Sequence, residues 1–289
     1  MATKQPLIII VGPTASGKTA LSVDIARRFN GEVIAADSRT VFRDMNIGTA
    51  KPTVEERKGI QHWGFDLASP GERYTAAAFK EYAVRAIADI RARGKVPIIA
   101  GGTGLYVDGV VFDFDYPDET NDESRNQFEA MTTERLYSYC VENAIPLPVN
   151  YKNRRHLLQA ILQAGVQPSR RDSLIANTFM FGIAVSKTVL RTRISTRAEQ
   201  MFKDGVVDEA KRLGDMYGWD NEAMRGNIYP LLRGYLVGGI PEAEVYEASR
   251  HRDWQLAKRQ MTWFRRNPYI SWGTSDDIAR QITQLFTVE

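Results

Sequence analysis

Leu7-Ile8-Ile9-Ile10-Val11-Gly12-Pro13-Thr14-Ala15-Ser16-Gly17-Lys18-Thr19 is the stretch on which the fold turns. Five consecutive apolar residues predict a short strand buried on both faces. The Gly-x-x-x-x-Gly-Lys-Thr that follows reads as a loop, set before a helical pattern that opens at Ala20. Gly12 and Gly17 let the backbone through Pro13, Thr14, Ala15 and Ser16 curl, so that successive N–H groups point inward. Lys18 can then reach anionic oxygens, and the Thr19 hydroxyl is suited to Mg2+. A diphosphate or triphosphate ester is the ligand that such a cradle predicts.

Working outward, Leu21, Ile25 and Phe29 mark the buried face of a helix that Gly31 is expected to close. Val33 to Ala36 reads as a second buried strand, followed at once by Asp37. From Thr75, a candidate N-cap, Phe79, Tyr82, Ala83, Ala86, Ile87 and Ile90 keep helical spacing up to Gly94. Val96 to Ala100 then forms a third buried strand that ends in Gly101-Gly102-Thr103-Gly104. Strands alternating with helices predict an α/β fold, a P-loop NTPase-like parallel sheet with flanking helices. Ligands of such a sheet sit at the carboxyl ends of its strands, where the phosphate loop, Asp37 and Thr103 all fall.

Between Asp113 and Glu123 six carboxylates crowd eleven residues, which reads as a solvated, mobile connection and a boundary. Residues 124 to about 165 are helical in pattern, and Ile145-Pro146-Leu147-Pro148 divides them into two pieces. The expected organisation is therefore 1–111 as the N-terminal part of the core, 112–165 as a small helical insertion, and 166–289 as the helix-rich remainder. In that remainder Phe181 to Val185 resembles one more strand. Long amphipathic helices follow from Lys187, including a stripe of Trp254, Ala257, Met261 and Phe264.

The 289 residues, 43% of them apolar, suffice for a large domain and a smaller one. The single cysteine, Cys140, excludes both a disulfide framework and a thiolate zinc cluster, and it reads as a small buried hydrophobe in a reducing compartment. No apolar run reaches the length of a signal-peptide core or a membrane span, so a cytoplasmic protein is expected. The net charge of +3 conceals an asymmetry: residues 1–149 carry 17 Lys and Arg against 20 Asp and Glu, and residues 150–272 carry 20 against 12. A basic second half beside a near-neutral phosphate-binding half suits a polyanionic partner, although solvated helix faces would read the same way. In that half Arg250, Arg252, Lys258, Arg259, Arg265 and Arg266 interleave with Trp254, Trp263 and Phe264. Trp254 and Phe264 are expected to pack inside, and the cations to face solvent or RNA.

Asp37, eighteen residues beyond the P-loop neighbour Thr19, could be a metal carboxylate, a general base, or a residue that caps the next turn. Position alone leaves these open. Thr103 is a candidate phosphate donor, since glycines on either side let a ligand approach the backbone. His62, His156 and His251 show no metal spacing and are assigned no catalytic role.

Taken together the chain resembles the tRNA dimethylallyltransferases, also called tRNA isopentenyltransferases. The blocks that carry the likeness are GPTASGKTALS at 12–22, ADSRTVFRDMNIGTAKP at 36–52, IIAGGTGLY at 98–106 and QLAKRQMTWFR at 255–265, with a weaker stretch from His62 to Phe79. The resemblance implies transfer of a dimethylallyl group from dimethylallyl diphosphate to N6 of the adenosine beside the 3′ end of the anticodon. It implies Asp37 as the base, with Thr103 and Arg225 also serving the reacting centre. Gly12 to Thr19 would hold the diphosphate, as a nucleotide-binding loop of the ATP-binding type, with Mg2+ on Thr19. Asp37, Ser38, Arg39, Thr40 and Thr103, together with Arg155, His156, Leu157, Leu158 and Gln159, match positions where the family touches the anticodon stem-loop of tRNA. A monomer is expected, with no membrane partner.

The chain departs from the family pattern at Phe42, usually Tyr, at Ile228 and Pro230 around Tyr229, and at Gln159 and Trp254, each usually Arg. These departures bear on tRNA docking and on the placement of Arg225, and they leave the phosphate loop, Asp37 and Thr103 intact. Three other activities share some of the features: prenyl transfer to free AMP or ATP, a P-loop small-molecule kinase, and a non-catalytic RNA-binding module.

Overall fold

The computed structural model describes residues 5–116, 122–163, 169–226 and 228–287. The chain divides into two compact units, one formed by 1–111 with 174–289 and the other by 112–173.

The larger unit is built on a six-stranded sheet: β1 (Leu7–Val11), β2 (Gly31–Ala36), β3 (His62–Trp63), β4 (Val96–Gly101), β5 (Thr178–Ile183) and β6 (Ile270–Gly273). Its order is β3-β2-β4-β1-β5-β6, and every pairing is parallel. Ile9 of β1 lies opposite Ile99 of β4 on one side and Met180 of β5 on the other. All five residues of β1 are fully buried, which is why that strand reads as an unbroken apolar run rather than an alternating one. Two strands have no counterpart in the expected set. β3 has only two residues, and β6 follows the long helical half, where period-two patterning is too short to register. β5 begins at Thr178 and ends at Ile183, three residues earlier at its start than the expected Phe181, because Leu7 N–H already bonds to the Asn177 carbonyl.

Around the sheet stand α1 (Lys18–Arg28), α2 (Val54–Arg57), α3 (Ala76–Ala92) and α4 (Gly104–Val111). α1 begins at Lys18, two residues ahead of the expected Ala20, and it is closed by Asn30 rather than Gly31. Asn30 takes the left-handed conformation (φ 50°), which its short polar side chain tolerates, and Gly31 is already the first residue of β2. At the head of α3 the Thr75 hydroxyl accepts the Ala78 N–H at 3.1 Å, as its N-cap position predicts.

In the smaller unit α5 (Asp122–Glu129), α6 (Thr133–Glu142) and α7 (Arg154–Leu162) pack around Leu136, Cys140, Leu157, Leu158, Ile161 and Leu162. There are three helices where two were expected. The additional break falls at Thr132, whose hydroxyl accepts the Arg135 N–H and starts α6. Cys140 is fully buried. Of the acidic connection read between Asp113 and Glu123, residues 117–121 lie outside the described residues.

The larger unit is completed by α8 (Lys187–Lys203), α9 (Val206–Tyr217), α10 (Tyr229–Leu236), α11 (Glu242–Phe264) and α12 (Ser275–Thr287), with a 3-10 turn at Ala223–Arg225. Along α11 Ala257 and Phe264 are buried, and Trp254 is half-buried beneath the Arg191 guanidinium, 4.6 Å from its ring centre. Among the described residues no helix is long and apolar enough to cross a membrane.

At the outer face of β2 the Glu32 carboxylate is buried and receives Arg93, Lys95 (2.8 Å) and the Trp63 indole N–H (2.8 Å). The hydrogen bond from Arg93, ahead of those from Lys95 and Trp63, holds its pKa down at about 2. A carboxylate depressed in the folded state stabilises above its unfolded pKa, and that contribution is lost as pH falls from about 4.5 toward 2. Glu32→Gln is therefore expected to lower stability at neutral pH by roughly 2 kcal/mol and to flatten the acid limb of the stability curve. Urea denaturation between pH 7 and 2 measures both.

Candidate active site

The sheet order places β2, β4 and β1 side by side, so the segments leaving their carboxyl ends emerge together. Those segments are Asp37 to Thr40, Thr103, and the phosphate loop. The juncture is tight. A Cβ on Gly101 would stand 2.0 Å from the Ala36 carbonyl oxygen, so only glycine lets β4 end against β2 in this register. Thr103 N–H bonds to that same carbonyl at 3.1 Å, and the Thr103 hydroxyl accepts the Ser38 N–H at 3.0 Å. Asp37 Oδ1 accepts the Arg39 N–H at 2.8 Å. The turn-capping role left open by the sequence is therefore real, and it fixes the carboxylate at the cavity that it lines.

Gly17, at φ +96°, takes a conformation that L side chains avoid and delivers the chain into α1. The loop before it is braced from two helices far away in sequence. From α8, Arg193 donates to the Ser16 carbonyl at 3.0 Å, and Arg197 donates to the Thr14 hydroxyl at 2.7 Å while pairing with Asp253 of α11. From α11, Gln260 Oε1 accepts the Thr14 N–H at 2.7 Å. Lys18 Nζ donates to the Gly12 and Pro13 carbonyls at 3.1 and 2.8 Å. Burial lowers the Lys18 pKa to about 8; the Asp37 charge opposes that fall and Arg197 adds to it. The Ser16 hydroxyl is buried with no hydrogen-bond partner among the described residues, a donor pointed at nothing the loop itself supplies.

A cavity of about 290 Å³ opens here, lined by Lys18, Asp37, Thr103, Arg197, Arg225 and Arg259 among others. Five cations, with Arg39 the fifth, and two carboxylates, Asp37 and the Asp253 that pairs with Arg197, make a site for a polyanion beside a proton acceptor. Arg225 reaches it from the turn Ala223–Arg225, with its guanidinium donating to the Asp220 carbonyl at 3.3 Å. Ser38 and Arg39 line the cavity too, and Arg39 donates to the Glu222 carbonyl at 3.1 Å. Thr40 is buried, its hydroxyl without a partner among the described residues. Gly12 to Gly17 form the loop, and Lys18 and Thr19 are the first residues of α1.

Arg155, His156, Leu157, Leu158 and Gln159 all belong to α7 of the smaller unit. Arg155, His156 and Gln159 are exposed there, while Leu157 and Leu158 are core residues of that unit. Ile228 is buried, and Pro230 sits in the first turn of α10, where a helix needs no N–H from it. Phe42 is buried, and its carbonyl accepts Lys51 Nζ at 2.9 Å. Arg193, Arg197, Asp253 and Gln260 were not foreseen. Only Gln260 fell in a recognised block, and the others bear on the loop from 56 to 183 residues away from their partners. Among the described residues no three His, Cys, Asp or Glu side chains group to hold a metal.

Comparison with known proteins agrees with this geometry. A family model described as IPP transferase matches residues 40–267, and a second, Isopentenyl transferase, matches 5–67. The tRNA dimethylallyltransferase of Acetivibrio thermocellus is 35% identical, with 94% of this chain and 92% of that protein aligned. That of Halalkalibacterium halodurans is 35% identical over 95% of this chain and 93% of its own. Among solved structures, the full-length tRNA isopentenylpyrophosphate transferase from Bacillus halodurans superposes with TM-score 0.75 at 33% identity, covering 98% of this chain and 96% of that one. A eukaryotic dimethylallyltransferase acting on tRNA gives 0.76 at 25% identity, covering 95% and 75%.

The lowered Lys18 pKa sets a pH dependence. An anion binds the charged ammonium, so affinity for inorganic pyrophosphate is expected to hold below pH 8 and to fall above it, by at most about tenfold per pH unit. Lys18→Arg, which keeps its charge, is expected to bind with a flatter profile. Calorimetric titration from pH 6.5 to 9.5 measures the difference.

Proposed function

The chain belongs to the IPP transferase family, and from that premise we propose that it transfers the dimethylallyl group of dimethylallyl diphosphate to N6 of an adenosine beside the 3′ end of the anticodon in tRNA. The observation that carries this reading is the convergence of Lys18, Asp37, Thr103 and Arg225 on one cavity. The exocyclic amine of adenine is a weak nucleophile because its lone pair is delocalised into the ring. As the N6–C1 bond forms and the C1–O bond breaks, Asp37 takes the amine proton and the bonding electrons leave with the diphosphate. Charge then builds on the departing oxygens. Lys18, the loop N–H groups and Arg197 stand ready for it, and the Thr103 hydroxyl and Arg225 face the reacting centre. The adenine must leave the anticodon-loop stack to enter a cavity at a strand end, and a single-stranded loop makes that extrusion cheap.

The donor set also fits Mg2+. The Thr19 hydroxyl is a hard oxygen donor in the first turn of α1, and with no three-residue ligand group among the described residues the ion would draw most of its oxygens from diphosphate and water. Bound there, it would neutralise charge on the leaving group. For the tRNA, the exposed Lys258, Arg259, Arg265 and Arg266 of α11 and its end, with Arg155, His156 and Gln159 of α7, supply cationic and polar contacts to phosphates. Acting on tRNA, the protein would work in the cytoplasm.

Incubation with unmodified tRNA, dimethylallyl diphosphate and Mg2+ is expected to yield N6-dimethylallyl adenosine by mass spectrometry, with far less product from AMP. Asp37→Asn, which keeps the turn-capping oxygen and loses the base, is expected to reduce kcat by about 10²- to 10⁴-fold while the melting temperature stays near that of the wild type. Equal product from AMP would move the acceptor to free nucleotide, and full activity of Asp37→Asn would remove the base from this position.

A further inference from the structure

Besides the phosphate loop, the cavity has two walls that come from distant parts of the chain. One is the segment Gly48-Thr49-Ala50 and the other is Arg225-Gly226 with Ile228. Neither is part of a sheet. Both are tied to one buried side chain, Glu209 of α9. Its Oε2 accepts the N–H groups of Asn46 and Ile47 at 2.9 and 2.8 Å, and its Oε1 accepts the Gly48 N–H at 2.9 Å and the Tyr229 hydroxyl at 2.9 Å.

Three successive backbone N–H groups converging on one anion make a nest of the kind that elsewhere holds phosphate. Here the anion is the protein's own. Its charge is answered by peptide dipoles and a phenol, and among the described residues no Lys or Arg forms an ion pair with it. The two walls also touch directly. A Cβ on Gly48 would lie 2.6 Å from the Tyr229 ring, so glycine at 48 lets the loop lie flat on that ring. Tyr229 is itself fully buried and follows Ile228 at the start of α10.

We propose that Glu209 is a positioning residue for the transfer: with Tyr229 it clamps the 46–50 segment to the 225–229 segment and so sets the acceptor side of the cavity, without contributing to the diphosphate side. The assignment of sides follows from what Glu209 leaves untouched. The phosphate loop is braced by Arg193, Arg197 and Gln260, none of which bonds to the clamp. Loss of the clamp should therefore loosen the wall that carries Arg225 and leave pyrophosphate binding as it was. The activity part of this inference rests on the proposed reaction, and the structural part does not.

Glu209→Gln tests it in the full chain. An amide has one acceptor oxygen and an N–H2 that would face donors, so it can keep at most half of the four bonds. Hydrogen exchange at residues 45–50 is expected to quicken at least tenfold, with residues 12–22 unchanged. Affinity for inorganic pyrophosphate should stay within twofold, KM for dimethylallyl diphosphate likewise, and kcat for transfer to tRNA should fall at least tenfold. Unchanged exchange at 45–50, unchanged kcat, or a loss of pyrophosphate affinity in step with kcat would each overturn the proposal. Should Glu209→Gln fail to fold, Tyr229→Phe decides: the ring remains, one bond of the clamp goes, and a three- to tenfold fall in kcat is expected, whereas full activity overturns the idea. If the wild type makes no prenylated adenosine, it is the proposed reaction that fails, and the exchange and pyrophosphate measurements still judge the clamp.

Discussion

The contact between the Gly101 α-carbon and the Ala36 carbonyl is the constraint from which the active cavity follows. A Cβ on Gly101 would stand 2.0 Å from the Ala36 oxygen, so no side chain is possible there, and the ends of β2 and β4 are pressed together. Thr103 N–H takes the carbonyl that Ala36 presents, the Thr103 hydroxyl takes the next N–H at Ser38, and Asp37 turns back onto Arg39. A chain of short-range hydrogen bonds thus carries the register of two buried strands out to the positions of a carboxylate and a hydroxyl. Beside them β1 delivers the phosphate loop, so a proton acceptor and an anion cradle share one edge of one sheet.

Electrostatics explains why the larger unit needs its helical half. Lys18, Arg197, Arg225 and Arg259 meet around a space of about 290 Å³. Such a gathering of like charge is costly unless an anion fills it; at Lys18 burial lowers the pKa first, and Arg197 adds to that fall. Asp253 offsets Arg197 from the side away from the loop. Elsewhere the unit handles charge in the opposite way, by burying a carboxylate under donors: Glu32 under Arg93, Lys95 and Trp63 at the edge of the sheet, and Glu209 under three peptide N–H groups and Tyr229. In each case a hydrogen-bonded carboxylate joins segments that are distant in the sequence.

The departures from the family pattern sit where the structure absorbs them. Pro230 falls in a first helical turn, Ile228 is buried beside the cavity, and Trp254 is covered by Arg191. None of the departures lies on β1, β2 or β4.

How much of this was legible depends on the range over which each interaction acts. Leu7 to Thr19, Val33 to Asp37, the Thr75 cap and Val96 to Thr103 could be read directly, because burial, turn chemistry and capping are decided by neighbours within a few residues. The same local logic misplaced a helix end at Gly31, where Asn30 in the left-handed conformation does the work, and overlooked the Thr132 cap that divides the small unit into three helices. It also missed β3 and β6, which exist because a parallel sheet offers them an edge to pair with, and two to four residues carry too little pattern to announce that.

The sequence by itself determined the parallel α/β core, the phosphate cradle, and the places of Asp37 and Thr103 just beyond the ends of two strands, since each is written in contiguous residues whose geometry is set locally. Only the tertiary structure decided that Arg197 and Gln260 brace the cradle, that Arg225 turns into the same cavity, and that Glu209 holds two of its walls. Those contacts join residues 20 to 246 positions apart. They arise from how the helices close over the sheet, which no periodicity along the chain encodes.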